Sequence, residues 1–227
     1  MEKEIFLERF NKEFEDEGIY KYLFYKRLVK AVLRQVEKDR GKILDVGSGH
    51  GELSIRAALE FPRAQVVGVD MSKEMIIKAK KKASNIGIEN VDFVVSPIED
   101  VEITDVDTII SSTTFHHIKN KKKALKKLFK ILPRNGKLII GDMFKTTQSF
   151  SKEVDKLRAR YPNSASEFDE SMRQFVGDTG QNFQYDNPDE YHICPADMKA
   201  LLKEAGFRKQ SIVKLPITDF AVVVGVK

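Results

Sequence analysis

The chain has 227 residues, 41% of them apolar and 32% charged, and carries a net charge of +5 from 39 lysines and arginines against 34 acids. That balance excludes a disordered chain, and no apolar run has the length needed to span a bilayer. Cys194 is the only cysteine, which excludes an internal disulfide and a multi-cysteine metal site; it reads as a small hydrophobe rather than a nucleophile.

The opening MEKEIFLERFNKEF mixes acids, bases and scattered hydrophobes. It lacks the uninterrupted apolar segment of a secretion signal, so the expected compartment is the cytoplasm. From Glu4 to Lys38 apolar residues recur every three or four positions, which predicts two helices broken near Gly18. The period then changes. KILDV, QVVGVD, VDFVV, VDTII and KLIIGD are short apolar or β-branched runs, most of them followed by a turn signal and a helical segment. This alternation predicts a parallel sheet covered by helices on both faces.

Helices are expected over Glu52 to Glu60, Ser72 to Asn85 and Asn120 to Leu132, with Ser72 as an N-cap. The third contains KNKKKALKKLFK, where much of the basic excess sits. Ala124, Leu125, Leu128, Ile131 and Leu132 fall at helical spacing, so its lysines are expected on a solvent face rather than on nucleic acid. Between Thr146 and Pro195 the pattern dissolves into a long polar stretch, expected to be a loop of the kind that forms lids and binding surfaces. A helix over Ala196 to Ala205, capped by Gly206, then leads into QSIVKL and FAVVVGVK.

The stretch ILDVGSGHGELS places Gly47, Gly49 and Gly51 between the first strand and the first helix of the sheet, at the edge where open α/β folds bind ligands. Glycines there let backbone approach a ligand closely. Asp70 ends the second strand roughly 20 residues on, where a carboxylate can accept both hydroxyls of a ribose. A dinucleotide site wants G-x-G-x-x-G, with a third glycine where Glu52 stands; the spacing here is G-x-G-x-G. An acid directly after it suits a ligand without phosphates.

With these motifs in order, the sequence resembles the class I S-adenosylmethionine-dependent methyltransferases over about Lys42 to Asp142. DVGSGHGELS is similar to the family's first motif, VVGVDMS to its second, DFVVSPIED to its third, and DTIISSTTFHHI and LPRNGKLIIGD to the later two. The resemblance implies a Rossmann-like three-layer α/β/α sandwich, its seven-stranded sheet mostly parallel with an antiparallel last strand. It implies S-adenosyl-L-methionine as cofactor and S-adenosyl-L-homocysteine as product. By position, Asp45, Gly47, Ser48, Gly49 and Gly51 would surround the methionine portion, Asp70 would hold the ribose and Met71 would flank the adenine. Ser112 would lie beneath the methyl group.

The third motif departs from the family pattern, in which an acid usually stands where this chain has Pro97. The Ile98 amide and Glu99 are the expected substitutes at the adenine. His117 is the expected proton acceptor if one is needed, with Asp142 behind it. Tyr20, Tyr25, His116, Tyr185, Tyr191 and His192 are expected around the acceptor. No metal is expected: adjacent histidines on one element point in different directions, and His50 and His192 lie far off in sequence.

The reading is thus one methyltransferase domain over residues 1–227. Residues 1–40 form a helical cap, 41–145 the cofactor-binding core, 146–195 a substrate or lid insertion, and 196–227 a closing helix and hairpin. A small-molecule acceptor is the expected partner, with no membrane, nucleic acid disfavoured, and a monomer or homodimer as the working state. The competing readings are an RNA or protein methyltransferase, a non-catalytic S-adenosylmethionine-binding protein and, disfavoured by the glycine spacing, an NAD-dependent oxidoreductase.

Overall fold

The computed structural model describes residues 5, 9–10, 22–37, 40–179, 190–215 and 220–227. Gly18, Tyr20 and Tyr185, to which the sequence reading assigned roles, lie outside the described residues.

Seven strands form one sheet: β1 (Arg40–Val46), β2 (Arg63–Asp70), β3 (Val91–Val95), β4 (Thr108–Ser112), β5 (Lys137–Met143), β6 (Lys209–Lys214) and β7 (Phe220–Val226). Their order is β3-β2-β1-β4-β5-β7-β6. β1 to β5 pair in parallel, and β7 runs antiparallel between β5 and β6. The chain steps outward from β1 to β3 and then returns to β4 on the other side of β1, so the strand order reverses between β1 and β4. A crevice opens at the carboxyl ends of the strands at such a reversal.

The strand side chains alternate between two separate cores, because successive residues on a strand point to opposite faces. Ile43, Ile110, Ile139 and Val222 join one cluster, whereas Leu44, Ile109, Ile140 and Val223 join the other. The first is covered by α1 (Leu23–Leu33), α2 (Glu52–Glu60) and α3 (Lys73–Ile86), the second by α4 (Lys121–Ile131) and α7 (Pro195–Ala205). Burying an Ile or Leu side chain contributes roughly 1.5–3 kcal/mol, so a one-residue slip of any central strand would exchange two such sets and is strongly disfavoured. The three layers predicted from the motifs are therefore present.

The Ser72 signal acts as read, and Asn120 and Cys194 cap helices that the sequence reading gave no cap. Ser72 caps α3, its hydroxyl accepting from the Met75 amide at 3.3 Å. Asn120 does the same for α4, accepting from the Lys123 amide at 3.0 Å. Cys194 is the N-cap of α7, its sulfur accepting from the Asp197 amide at 3.4 Å with Pro195 following. Burial, with Asp197 adding to it, raises the Cys194 thiol above its ordinary range, which suits a cap and not a nucleophile.

One expectation is overturned. The polar stretch after Thr146 is not a loop over its described part but two helices, α5 (Gln148–Arg160) and α6 (Pro162–Thr179). Its Glu, Lys, Arg, Gln, Met and Ala residues are good helix formers, but too few apolar positions recur to reveal the period. α6 is tied to the start of α1. The buried Ser171 hydroxyl accepts from the Leu23 amide at 2.9 Å, and Arg27 pairs with Glu167 at 2.9 Å. Among the described residues no helix is long and apolar enough to cross a membrane.

Candidate active site

The turn after β1 is held to β2 by backbone and by Asp70. The Gly47 and Ser48 amides donate to the Val69 carbonyl at 2.8 and 3.0 Å. Asp70 accepts from the Gly49 amide on one oxygen at 2.9 Å and from the Ser72 amide on the other at 2.8 Å. Both bonds fix the carboxylate's orientation at the strand end, and each oxygen retains a lone pair for a further donor.

The three glycines serve different ends. A side chain on Gly47 would strike Thr114, and one on Gly51 would meet Phe93 at 2.8 Å; both are small for packing. Gly49 has φ +52°, and a Cβ there would meet nothing within 4 Å. Only Gly49 bares its backbone to open space.

Among the described residues, three buried polar atoms in this turn have no hydrogen-bond partner: Asp45 Oδ1, Ser48 Oγ and His50 Nε2. Asp45 is 1% exposed, and its other oxygen accepts from the Ser54 hydroxyl at 2.6 Å. Burial pushes its carboxyl up to about 7, the Ser54 bond opposing and the charges of Glu52 and Asp70 adding to the rise. Met71, beyond Asp70, is 77% exposed, an unusual position for a large apolar side chain. Pro97 opens a turn of 3-10 helix at Ile98–Asp100, where Ile98 and Glu99 are half-buried.

At the end of β4, Ser111 donates to the Val46 carbonyl at 2.7 Å, and Ser112 shares a 2.9 Å hydrogen bond with the Tyr25 hydroxyl. Burial first, and Glu52 second, raise the Tyr25 hydroxyl, so it stays neutral. Tyr25 thus reaches from α1 to Ser112 at the carboxyl end of β4. Its neighbours Tyr22 and Phe24 stack on each other and, through Phe24, on Phe220, as core. Thr113 follows at φ +49°, a strained value for a β-branched residue and one that clusters at functional sites. The Thr114 hydroxyl lies within reach of the Gly47 and Ser112 carbonyls at 3.2 and 3.0 Å, joining the two turns.

The adjacent histidines behave differently from expectation. Phe115–His117 is a turn of 3-10 helix, and it brings the two imidazole centroids to 3.9 Å instead of splaying them. Asp142, at the end of β5, stands behind His116 and not behind His117. Its carboxylate takes the His116 amide at 3.0 Å, His116 Nδ1 at 2.6 Å and the Met143 amide at 2.8 Å. Burial alone would lower His116, but the Asp142 charge and hydrogen bond outweigh it and the net shift is upward.

His192, far off in sequence, stacks on His116 with centroids 5.1 Å apart and planes 4° from parallel. Its Nε2 meets Glu190 at 2.6 Å, and its Nδ1 faces the Met143 carbonyl at 3.2 Å. The Tyr191 amide donates to the His116 carbonyl at 2.6 Å. Lys121 departs from the solvent face expected of the α4 lysines. It is 5% exposed, and its ammonium donates to the carbonyls of Ile118 and Tyr191. Burial lowers it to about 8, with Asp142 opposing. Glu190 was absent from the sequence reading, and Lys121 and Glu52 entered it in other roles, as a solvent-face lysine and as the acid after the glycines; for Glu190 the available signal was that EYH, like FHH, places histidine beside an aromatic residue.

The model of a methyltransferase domain family matches residues 37–206. The arsenite methyltransferase of Halobacterium salinarum is 28% identical over 75% of this chain and 38% of its own length. The ubiquinone/menaquinone biosynthesis C-methyltransferase of Rickettsia felis is 26% identical over 80% of this chain and 74% of its own. A solved S-adenosylmethionine-dependent methyltransferase from Aquifex aeolicus shares the fold with a TM-score of 0.62 at 20% identity, over 87% of this chain and 88% of that one. The chain spans about half the length of the curated relatives it matches. The chain belongs to the class I S-adenosylmethionine-dependent methyltransferase family, and S-adenosyl-L-methionine is the cofactor of that family.

Proposed function

We propose that this protein transfers the methyl group of S-adenosyl-L-methionine to a small-molecule acceptor by in-line displacement. The observation that carries the reading is the trio of buried, unpartnered atoms, Asp45 Oδ1, Ser48 Oγ and His50 Nε2, beside a Gly49 that faces open space. Buried polar groups are nearly always bonded, so three in one turn mark the seat of a polar ligand. A sulfonium with an α-ammonium group supplies the positive charge that Asp45 lacks.

In this reading Asp45, Gly47, Ser48, Gly49 and Gly51 hold the methionine portion, and Asp70 takes the ribose hydroxyls with its remaining lone pairs. Met71, Ile98 and Glu99 flank the adenine, Pro97 offering it neither an acceptor side chain nor an amide. The bound cofactor brings a methyl group already activated by the sulfonium, so the protein has to align an acceptor and exclude water. Ser112, fixed by Tyr25, forms the floor.

The turn bearing His116 and His117, backed by Asp142, receives the acceptor and whatever proton it loses, with Tyr191 and His192 beside it. α6 lies at the start of α1 and, with α5 packed on it, acts as the lid. The chain works as one domain in the cytoplasm, as a monomer or homodimer.

The relatives named for arsenite and for quinone biosynthesis support a small acceptor, as does the exposure of most α4 lysines. The test is to incubate the protein with cofactor and panels of small phenols, quinols, amines and thiols, reading S-adenosylhomocysteine by mass spectrometry. Product should form with a small acceptor at a rate that changes by less than about twofold on doubling the salt. Turnover only with RNA or protein, falling steeply with salt, would overturn the small-molecule reading.

A further inference from the structure

The acceptor side of the crevice carries more order than docking alone requires. One donor atom each from His116, His117 and Glu190 lies within 4.8 Å of the other two. We propose that these three residues bind a divalent transition-metal ion at the carboxyl edge of β4 and β5. Binding of the ion is independent of the methyl-transfer reading; the role given to it below rests on that reading.

Zinc-class ions bind imidazole nitrogen and carboxylate oxygen at about 2.0–2.2 Å, which sets donors roughly 3–4 Å apart around one ion. Small rotations of the exposed His117 and the half-buried Glu190 close that gap. The surroundings match what such sites use to orient their ligands. An ionised carboxylate only accepts hydrogen bonds, so His116 Nδ1 donates to Asp142 and Nε2 carries the lone pair. Glu190 is oriented by His192 at 2.6 Å, and His192 in turn is pinned by the Met143 carbonyl and by stacking on His116.

The carboxylates of Asp142 and Glu190 stand on either side of the imidazoles, and the ammonium of Lys121 is itself bound to two carbonyls. Two imidazoles and one carboxylate leave coordination positions open. An acceptor hydroxyl or thiol entering one of them would lose its proton to solvent water more readily, the ion replacing direct abstraction by a histidine. Without an ion, the same residues would form imidazolium–carboxylate pairs, which is the competing arrangement.

The test uses untagged protein stripped with chelator, titrated with zinc by calorimetry and with cobalt by visible absorption. The expected result is one saturable equivalent, weakened at least about tenfold in His117→Ala and in Glu190→Ala, with circular dichroism unchanged. Asp142→Asn should weaken zinc about tenfold through His116 alone, and His50→Ala should leave it unchanged. No saturable uptake by the wild type, or uptake indifferent to His117→Ala and Glu190→Ala, overturns the site. Titration with S-adenosylmethionine is run separately: zinc without cofactor binding counts against methyl transfer and not against the ion, and cofactor without zinc does the reverse.

Discussion

The turn after β1 and the turn after β4 line one edge of the sheet and are built on opposite terms. Around Asp45 to Gly51, buried polar atoms stand without partners and a glycine faces empty space. Around His116 the backbone amide, the imidazole and the Asp142 carboxylate are all bonded, and a second histidine stacks on the first. A buried polar group without a partner costs roughly 1–3 kcal/mol, so the first turn is stable enough to fold but gains from a ligand. The second is held by bonds already made around His116, and what it offers a ligand lies at its edge, in the exposed His117 and the half-buried Glu190. One turn is a receptor with open bonds and the other a braced frame.

The largest effect should come from closing the receptor. Gly49→Val places a branched side chain in the open space and should weaken S-adenosylmethionine by more than about a hundredfold, while positive-φ strain costs the fold only about 1–2 kcal/mol. Calorimetry beside circular dichroism reads both, and retained affinity would mean the ligand lies elsewhere. Asp142→Ala attacks the other turn. It strips the acceptor from two amides and an imidazole and should cost about 3 kcal/mol by urea unfolding, with cofactor affinity kept within about threefold. A loss of affinity without a loss of stability would erase the distinction between the turns.

A pH series sharpens the contrast further. Asp45 is raised from an ordinary 3.8 to about 7, so between those values the folded chain binds more protons than the unfolded one. Its contribution to stability therefore falls as pH rises from about 4 to about 7. A cationic ligand favours the ionised form, so cofactor affinity should rise by up to about tenfold per pH unit approaching pH 7 and level off above it. Calorimetry in two buffers of different ionisation heat should show a proton released; affinity that drops with rising pH contradicts this. Asp70→Ala should have the smallest effect, about tenfold on cofactor affinity through lost hydroxyl contacts. No change would argue against a ribose at that carboxylate.

What the sequence disclosed was local. Strand alternation, the Ser72 cap, the Gly206 stop and the bare turn at Gly49 are each written within a few residues, where period and backbone freedom decide the outcome. What it concealed was set by folding. Tyr25 meets Ser112, Asp142 meets His116 and not His117, and His192 stacks on His116, because the sheet order brings β4 beside β5 and the segment before α7 across their ends. No spacing rule links those positions. Thr113 shows its strain only in its φ, and α5 and α6 hide behind a polar composition that carries helix propensity but little period.

The central claim, that the turn around Gly49 seats S-adenosylmethionine, is tested most directly by calorimetric titration with S-adenosylmethionine, S-adenosylhomocysteine and NADH in parallel. One equivalent of each of the first two should bind, with no heat from NADH. Binding of NADH alone, or silence from all three, would contradict the account.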